Sequence, residues 1–155
     1  MKDLSLRHFA RDTALSEADF ALYSESHQNA VNKQIHNACV PVIYASIIGM
    51  LHVAQPLGVP LSLPVVAVLA GYYFRFFYDQ FVPMLLLSTG ALGFAVLVES
   101  MGLPLLAISV LLFLIAWVGQ FVGHHIEGKK PSFLNDLKFL LVGPAWVVRH
   151  LQRSK

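Results

Sequence analysis

The stretch Gln120-Phe121-Val122-Gly123-His124-His125-Ile126-Glu127-Gly128-Lys129-Lys130-Pro131 decides how this chain is read. It closes an apolar run from Leu103 to Phe121, long enough to be a membrane-spanning helix. If the helix continues, Trp117, Gln120, His124 and Glu127 follow one another at steps of three and four and form one stripe. Ionisable groups at the edge of a span are costly unless they are wet, paired or bound to a metal. The rest of the chain must therefore contain something that meets this stripe.

Composition agrees with a membrane setting. Of 155 residues, 56% are hydrophobic and 13% charged, against about 25% charged in soluble domains. An all-α integral membrane bundle is expected, built as one domain over 1–155. The formal net charge of +2 is too small for a nucleic-acid binder. The single cysteine, Cys39, excludes an internal disulfide. The first 36 residues are polar and mixed in charge, so no cleavable signal is expected.

Outward from the opening stretch, apolar runs suggest four spans, at about 38–54, 61–78, 81–98 and 103–125. Pro41 would lie near the start of the first, where proline is tolerated. The second ends in the aromatic run from Tyr72 to Tyr78, which holds Arg75 and marks an interface. Before the spans, 1–16 is polar, and Glu17 to Asn37 lacks Gly and Pro and reads as a surface helix too polar to span. After them, 133–151 reads as an amphipathic interfacial helix, kinked or split at Pro144, with a fifth span as the alternative.

Basic residues set the orientation. Lys2, Arg7, Arg11 and Lys33 precede the first span, and Lys129, Lys130, Lys138, Arg149, Arg153 and Lys155 follow the fourth. The turns at 55–60 and 99–102 have none. The positive-inside rule places both termini in the cytoplasm, which four spans satisfy. His36 and His124 then reach the same depth on that side. The membrane would be the inner membrane in a bacterium and the endoplasmic reticulum in a eukaryote.

Asn29, Asn32 and His36 share a helical face. His27 lies about 180° and roughly 13 Å from His36 on a straight helix. For both to reach one ion, the helix must begin or break between Ser26 and Asn32, or the bundle must fold the segment back; otherwise His27 belongs to a second role. A cluster of His27, His36, His124 and His125 offers imidazole without thiolate, which suits Fe, Zn, Cu or Ni better than Ca or Mg. Glu127 would extend the set toward a non-haem Fe(II) site, with Asn29, Asn32 and Gln120 orienting ligands. The plainer alternative is that these groups cap helices and hydrogen-bond each other near lipid headgroups. His8, His52 and His150 fit that alternative better. Function classes left open are a metal oxygenase, a metal hydrolase, and a bundle that binds lipid or metal without turnover.

The blocks from Tyr23 through His27-Gln28-Asn29-Ala30-Val31-Asn32 to His36, then Val40-Pro41, then Trp117-Val118-Gly119-Gln120-Phe121-Val122-Gly123-His124 and Pro131 together resemble one family. It is a family of small membrane proteins first catalogued as a domain of unknown function. Its characterised fungal members are iron-dependent 2-hydroxy fatty acid dioxygenases of the endoplasmic reticulum that act in phytosphingosine breakdown. The resemblance implies Fe(II) held by His27, His36 and His124, with Asn29, Asn32 and Gln120 as matching polar positions. It implies a 2-hydroxy fatty acid and O2 as substrates, with the acid shortened by one carbon. Membrane lipids would surround the protein, and a homo-oligomer is compatible with the sequence. In the fungal pattern the glutamate follows the Gly-His histidine by four residues, whereas Glu127 follows His124 by three and His125 is an additional histidine.

Overall fold

The computed structural model of the chain describes residues 17–131 and 138–153. The readings that fall on 1–16, 132–137 and 154–155 lie outside them. The described residues are all helical or connecting, with no strand. Helix α1 runs over 17–25, followed by α2 (Ala30–Val53), α3 (Ser62–Phe76), α4 (Tyr78–Ser100), α5 (Leu105–Glu127) and α6 (Phe139–Arg153).

Among the described residues three helices, not four, are long and apolar enough to cross a membrane: α2, α4 and α5, of 24, 23 and 23 residues. The fourth expected span, 61–78, becomes α3, which has 15 residues. That is about 22 Å of helix, short of a hydrocarbon core of about 30 Å. Its end is set by Phe77, whose φ of −137° and ψ of 54° leave the helical region. Apolar residues continue past Phe77, but they belong to α4.

The other boundaries move for local reasons. The expected surface helix from Glu17 to Asn37 breaks at 26–29, inside the interval that a shared ion would require. Asn29 takes an extended conformation, and its side-chain oxygen accepts N–H bonds from Val31 and Asn32. This N-cap starts α2 at Ala30. The segment 30–37 therefore joins the first span, and Asn32 and His36 are fully buried in it. Pro41 consequently falls in the interior of α2, where the Asn37 carbonyl loses its usual N–H partner. The expected C-terminal helix is continuous through Pro144 rather than split. Val142, Ala145 and Val147 are fully buried, so α6 is packed onto the bundle.

The chain runs up through α2, down through α3, up through α4 and down through α5. At one end His52 of α2 bonds Ser62 of α3 and pairs with Glu99 of α4. At the other, Phe20 of α1 packs on Phe77, and the Tyr73 hydroxyl donates to the Leu141 carbonyl of α6. Lys33, Arg75, Lys129, Lys130, Lys138 and Arg149 all belong to this second end.

Among the described helices the most extensive packing is between α2 and α5. Gly123 of α5 lies against Asn32 and His36, and Gly119 against Cys39. Near the other end, Gly49 of α2 lies against Ser109. Small residues four apart let two backbones approach within a membrane, where packing rather than water expulsion drives association. This approach brings the histidines of α2 and α5 together.

Candidate metal centre

His27, His36 and His124 each offer a nitrogen within 4.8 Å of the others. They come from three different pieces of backbone: the break after α1, the second turn of α2 and the last turn of α5. The exposures are 0%, 0% and 6%. Ring centroids are 4.3 Å apart for His27 and His36, 5.1 Å for His27 and His124, and 4.8 Å for His36 and His124.

Hydrogen bonds orient the rings. His27 Nδ1–H donates to the Tyr23 carbonyl at 2.7 Å, and His36 Nδ1–H donates to the Asn32 carbonyl at 3.0 Å. Each ring therefore carries its lone pair on Nε2. That pattern, with one nitrogen tied to a backbone carbonyl and the other left open, is how metal-binding histidines are held. His27 Nε2 and His124 Nδ1 are buried without a hydrogen-bond partner among the described residues. His36 Nε2 and His124 Nε2 stand 3.2 Å apart. Two nitrogens bound at about 2.0–2.2 Å to one ion, at angles of roughly 90–109°, stand about 2.8–3.6 Å apart. His36 and His124 therefore have the spacing of shared ligation, and the His27 nitrogen lies within 4.8 Å of both. The donors are imidazoles, and the Cys39 sulfur lies against Gly119 rather than among them.

Burial also sets the proton affinity of His27. Removal from water pushes it down to about 4, against the smaller pull of its bond to the Tyr23 carbonyl. A neutral imidazole is the form that binds a metal. Tyr23 stacks on His27 with ring centroids 4.2 Å apart, and burial raises its hydroxyl well above the usual range. Trp146 of α6 closes the same side, 5.3 Å from His27, and its indole N–H donates to Ser24 Oγ.

Glu127 accepts N–H bonds from Gln28 and Asn29 at 2.7 and 2.9 Å, and from the Asn32 side chain at 2.9 Å. It thus clamps the end of α5 to the break that carries His27 and to the N-terminus of α2, a favourable place for an anion. Gly128, at φ 72°, ends α5 directly after it, with the Lys129 N–H donating to the His124 carbonyl. Such a left-handed C-cap is most easily taken by glycine. Asn29 is the N-cap of α2, and Gln120 lies one turn before His124 on the same side of α5. His125 is exposed and stands outside the three-nitrogen group.

Two cavities reach these residues. One, of about 210 Å³, touches His124, Gln120 and Tyr23 and is otherwise mostly apolar. The other, of about 320 Å³, lies between α1 and α6, touches His27 and includes Lys33 and Arg149. Trp146 is the residue that sequence reading missed, since nothing in 133–151 distinguishes a packing indole from an interfacial one. Tyr23 carried a hint, being one turn before His27.

A search of curated proteins and a search of solved structures find no match. A scan against protein families matches residues 14–155 to the family described as 2-hydroxy-palmitic acid dioxygenase Mpo1-like. The match spans every described element, from α1 through the histidine stretches to α6, and so the chain belongs to the Mpo1-like family.

Proposed function

We propose that His27, His36 and His124 hold Fe(II), and that the protein uses O2 to shorten a 2-hydroxy fatty acid by one carbon. The observation that carries this reading is the convergence of three buried imidazoles, two with their Nε2 lone pairs fixed by backbone bonds. The family match supplies the substrate class. The net reaction balances: one 2-hydroxy acid and one O2 give the shortened acid, CO2 and water. The bond between C1 and C2 breaks, and the four electrons lost by those carbons reduce O2. When bound, ferrous iron would supply redox chemistry and polarise the oxygens of the substrate.

The chain's own residues supply position and environment. Three neutral nitrogens leave coordination positions open for small oxygen ligands. Tyr23 and Trp146 exclude water from the His27 side. Glu127 and Asn32 hold the histidine-bearing segments in register. Gln120 faces the apolar cavity beside His124. The basic residues gathered at this end support placing it in the cytoplasm.

The test uses purified protein in lipid nanodiscs. Bound iron, together with O2-dependent conversion of 2-hydroxypalmitate to the acid one carbon shorter, is expected. Product formed equally well without O2 would point to a hydrolase instead. Lipid or metal binding without any turnover would leave a non-enzymatic bundle.

A further inference from the structure

The 210 Å³ cavity has a direction. On α5 its wall runs from His124 and Gln120 past Trp117 to Phe113, on α2 from Val40 past Ile43 to Ile47, and α6 adds Phe139, Leu140 and Pro144. His124 to Phe113 and His36 to Ile47 are both eleven residues, about 16 Å of helix. Helices α4 and α5 close on each other near the turn that joins them, through Ala95, Val98, Leu105 and Ile108. Toward the histidine end they part, with α2 between them, and Tyr44 of α2 bonds Ser88 of α4. Ile47 is 41% exposed and Phe113 is half-buried, so the far end opens on the surface that lipid would cover. At the near end Gln120 is 6% exposed and its Nε2 has no partner among the described residues.

We infer that this groove is an acyl-chain site entered sideways from the bilayer at Ile47 of α2 and Phe113 of α5, and that Gln120 Nε2–H donates to the carboxylate or hydroxyl of the acid's head. The occupant is a single straight-chain fatty acid. Its polar head satisfies a buried amide donor beside His124, and its tail meets apolar walls. The polar cavity on the α1 and α6 side, with Lys33 and Arg149, does not suit the tail. An extended chain advances about 1.2 Å per bond, so about 16 Å covers roughly thirteen bonds. Longer tails pass Ile47 into lipid. The site therefore fixes the head and does not impose an upper limit on length. This rests on the oxidative reading for the identity of the head group, but the groove can be tested without turnover.

The experiment uses the full chain in nanodiscs, with a straight-chain 2-hydroxy acid carrying a nitroxide on its tail. In metal-free protein, a saturable immobilised component in the electron paramagnetic resonance spectrum is expected. Ile43→Trp should remove it, while Val42→Trp, on the exposed face of α2, should keep it. Gln120→Leu should weaken binding about tenfold, the loss of one hydrogen bond to a charged partner. Metal content equal to wild type in each variant shows that the fold is intact. If Ile43→Trp loses metal, Ile47→Trp replaces it. In iron-loaded protein, acids with tails longer than about thirteen bonds should be converted with kcat/KM values within about threefold of each other. Equal immobilisation in the groove-filling variant and Val42→Trp, no weakening by Gln120→Leu, or a sharp loss with longer tails would overturn the groove. Binding without oxidation would instead end the oxidative reading and leave the groove standing.

Discussion

Glu127 accepts three N–H bonds from 28, 29 and 32 and so positions His27 and His36 through the backbone that carries them. Its loss should act on the metal indirectly. Glu127→Ala is expected to weaken metal affinity by about 10–100-fold, whereas His36→Ala should leave no stoichiometric metal and no activity. His125→Ala should leave both unchanged, since that ring is exposed. Metal titration of the purified variants checks all three, and a Glu127→Ala protein as metal-free as His36→Ala would make the carboxylate a ligand. The acid response of the metal-free protein follows from His27, which burial holds near 4 against an ordinary value of about 6.5. Above about pH 6.5 the imidazole is neutral whether folded or unfolded, so it contributes no pH dependence. As pH falls below that, the unfolded chain takes up a proton that the folded chain refuses. Folding should therefore lose up to about 3 kcal/mol by pH 4 from this residue. Thermal unfolding from pH 7 to 4 measures it, and a flat profile would contradict a buried neutral His27. The three histidines were readable from sequence because depth and family resemblance selected the same residues. The function of Glu127 was not, because a carboxylate one turn after a histidine looks the same whether it faces an ion or an amide.

The α2–α5 pair is where element packing and site geometry meet. A Cβ at Gly123 would collide with Asn32 Oδ1 and press on His36. Gly123→Ala should therefore push the helices apart, cost about 1–3 kcal/mol and lower metal occupancy. Asn29→Ala removes the cap of α2 and should cost about 1 kcal/mol, with a smaller effect on the metal. Unfolding in denaturing detergent ranks the two, and equal occupancy in Gly123→Ala and wild type would refute the coupling. The sequence does contain Gly119 and Gly123 four apart, a readable sign of close helix approach. The break at 26–29 was also readable, since His27 and His36 cannot aim at one ion from a straight helix. The length of α3 was not, because apolarity continues through Phe77 and only the backbone turn there ends the helix.

At the scale of the whole molecule, α2 starts and α5 ends on the same side, and α1 and α6 flank that side. Tags at the two termini should therefore be accessible from one face of the membrane, the cytoplasmic one by the gathering of basic residues there. Protease protection in oriented vesicles checks this, and termini on opposite faces would require a different path for α3 or α6. Charge counting located the common side before any span was fixed. Counting apolar residues overestimated the length of α3, which runs from one end of the bundle to the other in 15 residues, since hydropathy reports which segments tolerate lipid and not how far each helix reaches.

His36 and His124 belong to the first and the last of the three long helices and are 88 residues apart in the chain. During synthesis, the amino-terminal helices enter the membrane with only two of the three nitrogens in existence. The third arrives when α5 has been inserted, and the clamp of Glu127 forms only as that helix terminates. Completion of the three-nitrogen group thus comes after the preceding helices are made and reports the arrival of α5. A chain stalled before α5 would lack both His124 and the Glu127 clamp, and so would have no complete group with which to hold a metal.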